Sequence, residues 1–143
     1  MPRGAPRNNI YLLEKVESGA VTNNVTCGSP RAAVVGAGRM GHGIALELAR
    51  GGYQVSIYDS QNERSNQAII EAEQDAADLV SAGVIQSTDV ETIIARLRSV
   101  SSVEAAADGA NVVFEAVTED LDVKREVFAH LDQAAPVDAL LLS

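Results

Sequence analysis

A chain of 143 residues has the length of one domain, and with 46% hydrophobic but only 3% aromatic residues its core is expected to be Ala, Val, Ile and Leu, as in parallel sheets covered by helices. The formal charge of −9 and the pI near 4.6 argue against nucleic acid and anionic membrane as partners, because such a surface repels both. The single cysteine, Cys27, excludes an internal disulfide framework, and no run approaches the ~18 apolar residues of a membrane span, so the expectation is a soluble, cytoplasmic protein.

Residues 1–30 hold Pro2, Pro6, Pro30 and four asparagines around one compact apolar cluster, Ile10 to Leu13, which reads as a mobile extension. Arg3, Arg7 and Lys15 are set against Glu14 and Glu17, a poor pattern for a transit peptide, mitochondrial or otherwise. Asn24-Val25-Thr26 spells a glycosylation acceptor, but nothing around it indicates secretion.

The organising stretch follows. Ala32 to Val35 is a short β-branched run suited to a buried parallel strand; it breaks into Gly36-Ala37-Gly38-Arg39-Met40-Gly41, after which Met40, Ile44, Ala45 and Leu48 fall at helical spacing. Gly36, Gly38 and Gly41 stand in G-x-G-x-x-G spacing. The first lets the chain turn off the strand, the second lets backbone approach a pyrophosphate, and the third packs helix against strand. The helix N-terminus, from Arg39 and Met40 on, offers unpaired N–H groups and a partial positive charge to phosphate.

Gly51-Gly52 is a helix stop, and a second strand, Gln54 to Tyr58, ends on Asp59, 18 residues beyond Gly41. That acid either reads a ribose or caps the next helix. As a ribose reader it repels a 2′-phosphate, and Ser60 and Gln61 supply no adjacent cation, so NAD is expected over NADP. Arg64 lies five residues on, in the expected helix.

Ile69, Ala72, Ala76, Leu79 and Val80 then mark an amphipathic helix that Gly83 can end, and Thr88-Asp89-Val90-Glu91 has capping-box form ahead of a stripe of Val90, Ile93, Ile94 and Leu97. The two make a helical hairpin whose outer residues are mostly acidic, with no Lys or Arg between Arg64 and Arg96. Arg98 to Ser101 reads as a third strand, Val103 to Ala107 as a short helix and Asn111 to Val117 as a fourth strand. Val123, Val127, Phe128 and Leu131 mark a further helix, and Asp138 to Leu142 a fifth strand. Alternating strands and helices predict an α/β fold: a Rossmann-type doubly wound parallel sheet over residues 31–143, with a helical hairpin inserted between strands 2 and 3 and its ligand at the strands' C-terminal ends.

Taken together, the glycine turn, Tyr58-Asp59, the hairpin and Phe114-Glu115-Ala116-Val117-Thr118-Glu119-Asp120-Leu121-Asp122-Val123-Lys124 resemble the NAD-binding domain of the 3-hydroxyacyl-CoA dehydrogenase family. The resemblance implies NAD as cofactor, with Ala116 and Val117 passing its adenosine side and Glu119 and Lys124 near its nicotinamide end. It also implies that a Ser-Asn-Thr-Ser-Ser run, whose first serine aligns with Ser143, a catalytic His–Glu pair and a helical dimerisation domain lie further on. No catalytic or metal-binding residue is therefore expected within these residues. His42, in the first turn of the phosphate-binding helix, is expected to face solvent or sheet, and His130 to lie at the sheet's far end. Three functions stay open: the cofactor domain of an enzyme oxidising L-3-hydroxyacyl-CoA, a nucleotide-binding or regulatory module without turnover, and part of a dehydrogenase for a non-CoA hydroxy acid such as gulonate or carnitine. Basic residues near the hairpin meet the nucleotide phosphates in CoA-using members, so the acidic hairpin here bears on that choice.

Overall fold

A computed structural model describes residues 28–117 and 119–143 of the chain. The features read in residues 1–27, including Cys27 and the Asn24 acceptor, lie outside the described residues, as does Thr118.

The central strand β1 (Arg31–Val35) explains why its sequence is an unbroken apolar run. Ala32 and Val34 pack into one layer, Ala33 and Val35 into the other, so both faces are buried. β1 pairs with β2 (Gln54–Tyr58) on one side and with β4 (Val112–Glu115) on the other, while β3 (Leu97–Ser99) beside β2 and β5 (Leu140–Leu142) beside β4 form the flanks. All pairings are parallel, in the order β3-β2-β1-β4-β5. The direction of winding reverses between β1 and β4, and the loops leaving those two strands part to form a crevice. This is the Rossmann-type sheet expected.

One layer holds α1 (Arg39–Arg50) and the hairpin of α2 (Asn62–Ser81) and α3 (Ser87–Ile94); the other holds α4 (Val103–Ala107) and α5 (Leu121–Ala134). Alanines dominate the first core: Ala45 and Ala49 of α1 and Ala68, Ala72 and Ala76 of α2 are fully buried. Both predicted glycine stops work in the same way. Gly52 (φ +94°) follows α1 and Gly83 (φ +75°) follows α2, each in the left-handed region that glycine tolerates. Tyr53 N–H then bonds back to Leu48 O and Val84 N–H to Leu79 O, closing the last helical carbonyls.

Several boundaries differ from expectation. α3 starts at Ser87 behind Gln86, with no side-chain cap, so Thr88 lies inside the helix and the capping box does not form. Leu97 leaves the helical stripe to open β3, because Val55 N–H bonds to Arg96 O and draws the chain into the sheet. β4 and β5 are shorter than the apolar runs that contain them. His42 faces neither solvent nor sheet: its ring lies against α2, with Nδ1 3.3 Å from Glu71 and Nε2 3.0 Å from Asp75.

Candidate functional site

The crevice is built by the turn between β1 and α1. Gly36 (φ +107°) takes a conformation closed to most residues, and a Cβ there would stand 2.5 Å from Ala116 O and 2.8 Å from Val117 N. The two diverging loops thus touch at this glycine. Gly41 is buried, and a Cβ on it would run into the Gly36 carbonyl, so α1 packs directly on the strand end. Gly38 differs from both: a Cβ there would meet nothing within 4 Å. It opens onto a cavity of about 630 Å³.

Around this opening the polar groups are oriented. The first bond of α1 is His42 N–H to Gly38 O, which leaves the N–H groups of Arg39, Met40 and Gly41 without an acceptor among the described residues. Asp59 Oδ2 accepts from Ala37 N–H at 2.8 Å and Oδ1 from Gln61 N–H at 2.9 Å, so its carboxylate is fixed at the end of β2. Asp59 therefore braces the entry to α2 and still lines the cavity, combining the two roles open to it from the sequence. Val103, Val123 and Val127 supply an apolar wall. An open glycine, unpaired N–H groups, an oriented acid and an apolar slot fit the phosphates, ribose and base of a dinucleotide.

Residues 31–143 match the family described as 3-hydroxyacyl-CoA dehydrogenase, NAD binding domain. The chain belongs to that family. It is an NAD-binding domain of 3-hydroxyacyl-CoA dehydrogenase-like oxidoreductases, and NAD is its cofactor. Among its relatives, a probable 3-hydroxybutyryl-CoA dehydrogenase of Bacillus subtilis (strain 168) is 34% identical over 110 residues, covering 77% of this chain and 38% of the relative. The 3-hydroxyadipyl-CoA dehydrogenase of Escherichia coli (strain K12) is 37% identical over 109 residues, 76% of this chain and 23% of the relative. The crystal structure of M. tuberculosis FadB2 superposes with a TM-score of 0.73 at 32% identity, covering 79% of this chain and 40% of that one. The chain thus spans less than half the length of these relatives.

Within this 3-hydroxyacyl-CoA dehydrogenase domain, the residues singled out from the sequence separate into groups. Gly36, Gly38, Asp59, Ala116 and Val117 line the cavity together, and Gly41 supports the turn from behind. Arg39 and Met40 send their side chains elsewhere. They line a shallow groove with Ile44, Leu48 and Phe114, and Met40 is 72% exposed rather than part of the helix's buried stripe. Only their backbone N–H groups belong to the glycine turn. Glu119 is exposed and outside the cavity wall, and Lys124 turns to Glu115, 3.8 Å away.

Three contributors were not legible in advance. Glu115, its side chain only 1% exposed, accepts from Val117 N–H at 2.7 Å and from the Ser143 hydroxyl at 2.7 Å, tying the loop after β4 to the end of β5. Arg64, in the first turn of α2, reaches back to the glycine turn and lines the cavity. His130 lines it too, contrary to the expectation that it lies at the sheet's far end, because the crevice continues as a groove between α4 and α5. There its Nδ1 stands 3.0 Å from Glu104. A backbone hydrogen bond and then the His130 ring hold the Glu104 carboxyl below its ordinary range.

Proposed function

We propose that this domain holds NAD for an oxidoreductase that moves a hydride between the cofactor and the C3 hydroxyl or keto group of an L-3-hydroxyacyl-CoA, with binding and orientation as the work of these residues. Asp59 receives the adenosine ribose hydroxyls, the Gly38 opening and the first turn of α1 receive the pyrophosphate, and the valine wall takes the adenine. Ala116 and Val117 pass the adenosine side, with Glu119 and Lys124 toward the nicotinamide end. The bound cofactor supplies a hydride acceptor at its nicotinamide ring. Oxidation at C3 also needs a base for the hydroxyl proton. The family resemblance places that base further along the chain: neither His42, held at both ring nitrogens by Glu71 and Asp75, nor His130 aligns with the family's catalytic histidine.

The observation that carries this reading is the pairing of an oriented Asp59 with the open face of Gly38 on one cavity. Calorimetric titration of the chain with NADH tests it, with Asp59→Ala and Gly38→Val as controls and acetoacetyl-CoA reduction assayed in parallel. Binding that both substitutions remove, without turnover, is the expected result; turnover by these residues alone would overturn the division of labour. The hairpin favours a second reading. Glu63, Glu73, Asp78, Asp89 and Glu91 are exposed on α2 and α3 without a lysine or arginine between Arg64 and Arg96, a surface better suited to a hydroxy-acid substrate lacking CoA phosphates.

A further inference from the structure

The acid at the adenosine end of the crevice has a cation beside it that the linear sequence does not announce. Arg64 is half-buried, and its Nη2 donates to Ala37 O at 3.3 Å. Asp59 accepts from the N–H of that same Ala37 at 2.8 Å. Anion and cation therefore hold the two polar groups of one residue, and both line the same cavity with Ser60 and Gln61. They form no ion pair with each other, and among the described residues no carboxylate pairs with Arg64. The single bond to a neutral carbonyl occupies one guanidinium donor; the remaining N–H groups have no partner among the described residues.

This changes the charge that a cofactor meets. An isolated Asp59 would repel a 2′-phosphate, which carries about −1.5 to −2 at neutral pH. With Arg64 on the other side of Ala37 the two formal charges cancel, and each Asp59 oxygen is further engaged by a backbone N–H. A guanidinium is also the side chain best shaped to take a phosphate, since its parallel N–H groups match two phosphate oxygens. We infer that Arg64 is a specificity-determining residue at this end of the crevice, and that through it the domain accepts the 2′-phosphorylated cofactor NADP alongside NAD. The inference rests on the assignment of Asp59 to the adenosine ribose.

The test is calorimetry of the 143-residue chain with ADP-ribose and 2′-phospho-ADP-ribose, which carry the adenosine end without a nicotinamide, so that no turnover enters the readout. The expected wild-type ratio of the two dissociation constants is within about tenfold. Arg64→Ala shifts that ratio against the phosphorylated ligand by about tenfold or more, the loss of a charge-assisted hydrogen bond, whereas Arg64→Lys, which keeps the charge, holds it within about threefold. Asp59→Asn moves the ratio in the opposite direction. Thermal melts of each variant separate lost binding from lost fold. Two ligands that bind with a ratio unaffected by Arg64→Ala, or a wild type that takes ADP-ribose but rejects its phosphorylated form by more than about a hundredfold, would overturn the role of Arg64 alone. Failure of both ligands to bind would overturn the ribose assignment and this inference with it.

Discussion

Alanine at Gly38 is expected to weaken cofactor binding without loss of stability, whereas alanine at Gly36 or Gly41 is expected to damage the fold first. Gly38 sits in extended backbone (φ −76°, ψ −165°) that any residue adopts, and its Cβ would meet open space. There the substitution only restricts the unfolded chain, a gain of about 0.4–1 kcal/mol that raises the melting temperature by about 1–4 °C. The new methyl group fills the space through which a pyrophosphate must approach, so NADH affinity falls by about tenfold or more. At Gly36 the positive φ strains any other residue by about 1–3 kcal/mol. The contact with Ala116 O, 2.5 Å from the new Cβ, adds an overpacking cost of about 1–3 kcal/mol. Together these lower the melting temperature by about 8–24 °C at about 4 °C per kcal/mol. Gly41→Ala belongs to the same class, because its Cβ would collide with the rigid Gly36 carbonyl rather than with a side chain that can swing away. Thermal melts by circular dichroism and NADH titration of the three variants check this. A Gly38→Ala protein that melts well below wild type, or that binds NADH as wild type does, would refute the separation of packing from binding; so would a Gly36→Ala protein of unchanged stability.

Glu115→Ala leaves the Val117 N–H and the Ser143 hydroxyl without their buried acceptor and is expected to cost about 2–4 kcal/mol, read from urea unfolding midpoints. Glu115→Gln keeps an acceptor oxygen and should lose less than half as much. The Glu104 carboxyl titrates below its ordinary value of 4.5 in the folded chain, so the stability it contributes is present above that value and is lost as the pH falls through the lowered one. The difference in unfolding midpoint between wild type and Glu104→Gln should therefore shrink as the pH is lowered from about 5 through the acid range, and a difference that grows over that range would contradict the sign.

What could be read from the sequence was what depends on near neighbours. The turn at Gly36, the stops at Gly52 and Gly83, and the two-sided burial of β1 each follow from a few consecutive residues, and the parallel pairing of the strands follows from their alternation with helices. Leu97 was misread because a helical stripe and a strand both begin with an apolar residue, and only its pairing opposite Val55 decides between them. Met40 was misread for a related reason. Periodicity places it on the flank of α1, but only the layout of the layers shows that this flank, beside Phe114, has no helix over it among the described residues. The site shows the same division. The spacing from Gly41 to Asp59 is a local property of a βαβ unit and put the acid at the end of β2. The electrostatic setting of that acid is not local, because the first turn of α2 brings Arg64 back across the crevice to Ala37. Cofactor discrimination is a difference between two binding free energies, and a cation on the far side of one peptide unit weighs in that difference as much as one adjacent in the chain. On the proposed reading, Asp59 marks where the ribose is read, and the preference between NAD and NADP is then set by the Asp59–Arg64 pair.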